Sequence, residues 1–92
     1  MGMYLTAYKK VGEGKFEHDY RWPNDKWAGR GELWETMQGV GVWREGEYAR
    51  PLDFEKLRGV LQRIYPEVLG HEALTNLIDL MEKDEKVFVQ YE

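Results

Sequence analysis

The sequence predicts an α+β fold: an antiparallel sheet made from an N-terminal β-hairpin and a C-terminal strand, covered on one face by two main helices. Three observations carry this. Apolar and polar residues alternate with period two near both ends of the chain. Two stripes with helical spacing lie between those ends. At 92 residues the chain has the length of one domain, residues 1–92, with no linker or repeat.

From Met3 to Lys10, Met3, Leu5 and Ala7 alternate with Tyr4, Thr6 and Tyr8, which reads as a strand. Val11-Gly12-Glu13-Gly14 is a turn signal, because glycine reaches positive φ without a steric penalty. Lys15 to Trp22 alternates again, with Phe16, His18, Tyr20 and Trp22 on one face, and Pro23 stops it. Pro23-Asn24-Asp25 is a further turn. Glu32 to Gln38 allows two helical turns carrying Leu33, Trp34 and Met37, with Gly39 as the expected left-handed cap. For residues 40–51, a short hairpin (Val42–Arg44 with Glu47–Arg50) and an open loop both fit.

Asp53 is a good N-cap, and Leu52 and Leu57 stand at hydrophobic-staple positions. Phe54, Leu57, Val60, Leu61 and Ile64 then follow helical spacing up to Pro66. Gly59 inside that helix suggests a close helix–sheet approach. A second stripe, Ala73, Leu74, Leu77, Ile78 and Met81, begins near His71 and closes at Lys83-Asp84-Glu85. The final strand, Lys86 to Glu92, turns Val87, Val89 and Tyr91 one way and Phe88 and Gln90 the other.

Composition excludes several chemistries. The chain has no cysteine and no serine, which removes disulfides, thiol catalysis and serine nucleophiles and leaves only Thr6, Thr36 and Thr75 as weak alternatives. His18 and His71 are the only histidines and lack metal-site spacing, so no metal and no cofactor is expected. The pairs Gly12/Gly14, Gly29/Gly31 and Gly39/Gly41 do not extend into a phosphate-binding fingerprint. Carboxylates such as Glu82, Asp84 and Glu85 read as a solvated helix end rather than an acid–base pair. No catalytic residue emerges, and the protein is expected not to be an enzyme.

The net charge is −4, and the deficit lies in the C-terminal half: residues 1–51 balance eight basic against eight acidic residues, and residues 52–92 carry five against nine. This disfavours a nucleic-acid duplex as partner. It leaves Asp53, Glu55, Glu67, Glu72, Asp79 and Glu82 as an acidic helix surface of the kind that could meet a basic protein. No apolar run reaches membrane-span length, and the N-terminus lacks the pattern of a secretory signal, so a cytoplasmic protein without membrane contact is expected.

The clearest functional signal is where the aromatics fall: all four tryptophans lie between Trp22 and Trp43. Interleaved with basic residues, they define a candidate binding set of Arg21, Trp22, Asn24, Lys26, Trp27, Arg30, Trp43 and Arg44. Trp and Arg dominate protein–protein hot spots, and alternating rings and cations also suit single-stranded nucleic acid or nucleotides. Trp34, beside Leu33 and Met37, reads as core; for Trp22 and Trp27 core and interface weigh evenly. Exposed sheet edges leave a homodimer open as well.

Met1-Gly2-Met3-Tyr4-Leu5, Asp19-Tyr20-Arg21-Trp22 followed by Asn24, and Val87-Phe88-Val89-Gln90-Tyr91 occur in this order as spaced fragments. Together they resemble a group of small bacteriophage and prophage proteins with no assigned activity. The chain departs from that group in having Tyr20-Arg21-Trp22 where the group has Tyr-Trp-Arg, in the reversed pair Gln90-Tyr91, and in lacking a Gly-Phe-Phe-Phe-Gly-like segment between the helices. The resemblance implies phage origin and a host cytoplasm, and it brings no catalytic residue. Joined to the missing catalytic chemistry, it leads to the expectation of a small protein-binding, inhibitor-type molecule of anti-defence or immunity kind. Binding of single-stranded nucleic acid or nucleotides through residues 21–44 is the alternative, and an unrecognised small enzyme is the remaining one.

Overall fold

The computed structural model describes residues 5–22, 30–64 and 71–91. Its elements run β1 (Leu5–Gly12), β2 (Lys15–His18), α1 (Arg30–Gly39), β3 (Val42–Glu45), β4 (Tyr48–Pro51), α2 (Phe54–Ile64), α3 (His71–Lys83) and β5 (Val87–Tyr91). The five strands form one open sheet in the order β2-β1-β5-β4-β3, and each described pairing is antiparallel. The terminal strand pairs with the N-terminal hairpin, as the alternation predicts, with Ala7 opposite Val89 and Tyr8 opposite Phe88.

One face of the sheet carries the main core. Leu5, Ala7, Ala49, Val87 and Val89 meet Leu33 and Met37 of α1, Leu57 and Leu61 of α2, and Leu74, Leu77, Ile78 and Met81 of α3, all buried. Each buried leucine contributes roughly 1.5–3 kcal/mol relative to exposure. Of the two helical stripes, Phe54 and Ala73 pack partly buried against this core, Val60 is half-buried, and the Ile64 side chain lies outside the described residues.

Residues 40–51 resolve into a hairpin, β3 with β4, in the register Trp43↔Arg50 and Arg44↔Ala49. Gly46 supplies its turn at φ 65 and Gly14 does the same for the first hairpin. The first hairpin also carries a register shift between Lys10 and Gly12.

Several expectations change. The second strand ends at His18 rather than Trp22. The Asp19 carboxylate accepts the Arg21 backbone N–H at 3.0 Å, and the Asp19 carbonyl accepts Trp22 N–H at 3.2 Å. This tight side-chain-stabilised turn lifts the chain off the strand, so Trp22 joins the core instead of continuing the face of Phe16 and His18. Gly39 stays helical, and the left-handed position is Gly41, at φ 83. Asp53 does cap α2, with Lys56 N–H donating to Oδ1 at 2.9 Å. Of the two staple positions, Leu57 is buried and Leu52 is 68% exposed. Gly59 faces open space, with no neighbouring atom within 4 Å of where a Cβ would stand, so it marks no close helix–sheet approach. Tyr65 to Gly70 and the Pro66 helix stop lie outside the described residues.

Candidate functional site

Of the eight residues singled out from the sequence, the four with described side chains, Arg21, Trp22, Trp43 and Arg44, do not converge. Asn24, Lys26 and Trp27 lie outside the described residues, and Arg30 is described only as the first residue of α1. Trp22 is 4% exposed, a core residue and not an accessible anchor. Trp34 packs on Tyr91, with ring centroids 5.9 Å apart, and Arg44 sits over the Trp34 ring at 5.1 Å, so the Arg44 cation is engaged within the fold.

Arg21 is also engaged. Nε and Nη2 donate to the two oxygens of Asp19 at 3.0 and 2.8 Å, and Nη2 donates to Asp84 Oδ2 at 2.7 Å. Lys9 adds a looser ion pair to Asp84 at 3.7 Å. Burial pushes the Asp19 carboxyl up, but the hydrogen bonds from Arg21 outweigh it and hold the group below its ordinary value. The Arg21 hydrogen bond does the same for Asp84, helped by the Lys86 N–H. This cluster locks the β2 exit to the α3–β5 turn.

Trp43 is the exposed aromatic among the described members of the candidate set, at 43%. It lies on the sheet face away from the helices, where the strand phases place Tyr8, Phe16, His18, Tyr48 and Phe88 as well. Ring contacts run unbroken across that face. Tyr20 meets His18 at 5.0 Å, His18 meets Tyr8 at 5.8 Å, and Tyr8 meets Tyr48 at 5.1 Å. Tyr48 stacks on Phe16 at 3.9 Å, Phe16 meets Phe88 edge-on at 5.2 Å, and Phe88 meets Trp43 at 5.2 Å. The strip is half-buried in its middle, and it ends in an 88% exposed Tyr20 on one side and Trp43 on the other.

The sheet curls around this strip. Lys10 Nζ lies 2.7 Å from Glu45 Oε2, and Gly14 N–H donates to Glu45 Oε1 at 3.1 Å, which joins the first hairpin to the far-edge strand β3. The Lys10 hydrogen bond holds the Glu45 carboxyl below its ordinary value.

Beside Trp43 the face opens into a cleft of about 630 Å³, whose lining includes Lys10, Trp43, Arg50, Phe54, Glu85, Lys86 and Phe88. Arg50 is the fixed member. Its Nη1 donates to the carbonyls of Asp84 and Val87, both at 2.9 Å, and its guanidinium lies 5.1 Å over the Phe54 ring. Burial pushes its pKa down against the raising pull of Asp84 and Glu85.

The remaining expected features are structural. His18 is part of the aromatic strip, and the His71 side chain lies outside what is described. No cluster of three metal-ligating side chains occurs among the described residues. On the acidic helix surface, Asp79 and Glu82 are paired to Arg58 of the neighbouring helix, and Glu67 lies outside the described residues. No described helix is long and apolar enough to cross a membrane.

The sequence contained the signal for the strip without its meaning: Phe16, His18 and Phe88 fall on the strand phase opposite to the core residues. No protein-family model, curated protein or solved structure matches the chain.

Proposed function

We propose that the chain is a non-enzymatic binding protein that acts by protein–protein contact through the open aromatic face of its sheet. The observation that carries this reading is the unbroken ring strip from Tyr20 to Trp43, exposed at both ends on a face that no described helix covers. Aromatic side chains offer large contact areas at low entropic cost and are enriched at the centres of interfaces. The half-buried middle of the strip is held rigid by its own ring contacts, so little ordering remains to be done on binding.

The absence of serine and cysteine supports a binding role over catalysis. The resemblance of spaced fragments to phage and prophage proteins supports an inhibitor-type role, of anti-defence or immunity kind, in a bacterial host cytoplasm. Affinity capture from bacterial lysate tests the reading. A partner held by the wild type should be lost by Trp43→Ala and Tyr20→Ala and kept by Arg58→Ala, which alters the helix side. Retention of every captured protein by both aromatic variants overturns it.

A further inference from the structure

The cleft beside Trp43 has a composition that the aromatic strip alone does not explain. Three cations, Lys10, Arg50 and Lys86, face one carboxylate, Glu85, within it, although the chain as a whole carries a net charge of −4. Lys10 is shared with Glu45. Arg50 and Lys86 have no ion-pair partner among the described residues, and Arg50 is held in place by two backbone carbonyls rather than by a carboxylate. A cation fixed in this way keeps its charge available to an incoming anion without any reorganisation of the protein. Trp43, the cross-strand partner of Arg50, is 43% exposed, with Phe88 tilted against its ring at 5.2 Å and Lys10 Nζ 5.8 Å from the ring centroid. An indole this exposed offers a planar aromatic surface on which another ring can stack. The volume, about 630 Å³, lies within the range of small-ligand sites.

We propose that this cleft binds a nucleotide, with the base stacked on Trp43 and the phosphate received between Arg50 and Lys86. The pairing of one platform with one cationic pair fits a single ring-plus-phosphate unit. That unit can be a free mononucleotide or one residue of a single strand. The cleft uses Lys10, Arg50, Lys86 and Phe54 from outside the tryptophan-rich segment, and its occupation does not depend on the protein-contact reading above.

The test is a titration of the full chain with adenosine 5′-monophosphate at low salt, followed by tryptophan fluorescence and calorimetry, beside adenosine, inorganic phosphate and a short thymidine oligonucleotide. The expected result is saturable quenching by the nucleotide, with adenosine and phosphate each bound at least about fivefold more weakly. Lys86→Ala should weaken the nucleotide about three- to tenfold and make its binding less sensitive to salt, because one screened contact has been removed. Trp43→Phe should abolish the quenching. Tighter binding of the oligonucleotide than of the mononucleotide assigns the unit to a strand, and the reverse order assigns it to a free ligand; the site stands in either case. A flat titration up to about 5 mM, phosphate bound as tightly as the nucleotide, or nucleotide affinity unchanged in both Lys86→Ala and Trp43→Ala overturns the proposal.

Discussion

Phe16 and Tyr48 stack with ring centroids 3.9 Å apart and planes 15° from parallel, although they belong to strands β2 and β4, which are separated in the sheet by β1 and β5. Three strand spacings amount to about 14 Å. The rings close that gap by leaning over Tyr8 and Phe88 across a sheet curled toward them, and the contacts of Glu45 with Lys10 and Gly14 pin the curl at its rim. Phe88, beneath them, is 2% exposed. The face away from the helices is thus a second, aromatic core with exposed ends.

If the stack holds the curl, removing either ring should cost stability. Tyr48→Ala is expected to destabilise by about 2–3 kcal/mol, less than a fully buried aromatic because Tyr48 is only half-buried. A double-mutant cycle with Phe16→Ala should return a coupling of about 0.5–1.5 kcal/mol. Urea denaturation measures both, and additive losses would mean the rings act independently.

Arg21 and its two carboxylates give a pH dependence with a definite sign. Asp19 and Asp84 are held below their ordinary value of 3.8 in the folded chain. Their contribution is therefore fully present above that value and is lost as pH falls from it through the depressed folded values. Arg21 is 45% exposed, so screening limits the effect to about 1 kcal/mol. Between about pH 5 and pH 2, the urea midpoint of Asp84→Asn should fall less steeply than that of the wild type. Parallel slopes would show that the Asp84 carboxylate contributes nothing.

Two glycines should respond in opposite directions. Gly59 is helical, exposed and open to a Cβ, so Gly59→Ala should stabilise by about 0.5–1 kcal/mol. Gly41 sits at φ 83 with Leu52 3.6 Å from a Cβ, so Gly41→Ala should destabilise by about 1 kcal/mol or more. Thermal melts of the two variants check the pair.

Trp22 and Trp43 separate core from surface. Trp22→Ala removes a 4% exposed ring and should cost about 3–5 kcal/mol. Trp43→Ala should cost about 1 kcal/mol, since much of its area is already in water. Equal losses would place both rings in the core.

The sequence made the helix-covered face legible because its residues repeat at fixed spacing: Leu57 and Leu61 in α2, Leu74 to Met81 in α3, and Val87 and Val89 in β5 all bury as their periodicity demands. The site was harder to read. Clustering along the chain placed Trp22, Trp43 and Arg44 together, but neighbours in a strand point to opposite faces, so Trp43 joins the open strip while Arg44 turns to Trp34 on the other side. Trp22 was diverted by a turn that depends on Asp19, a residue whose strand alternation hid its capping role. The ring strip itself rests on pairings such as Tyr8 with Phe88, which are 80 positions apart and set by sheet register rather than by any local pattern.

The most direct test of the aromatic face as a binding surface is the dissociation constant of a captured protein partner for the wild type and for Trp43→Ala, with Arg58→Ala as the control on the helix side. Trp43→Ala should lose at least tenfold in affinity, about 1.4 kcal/mol or more, with folding intact and Arg58→Ala unchanged. A partner bound equally well by the wild type and Trp43→Ala would contradict it.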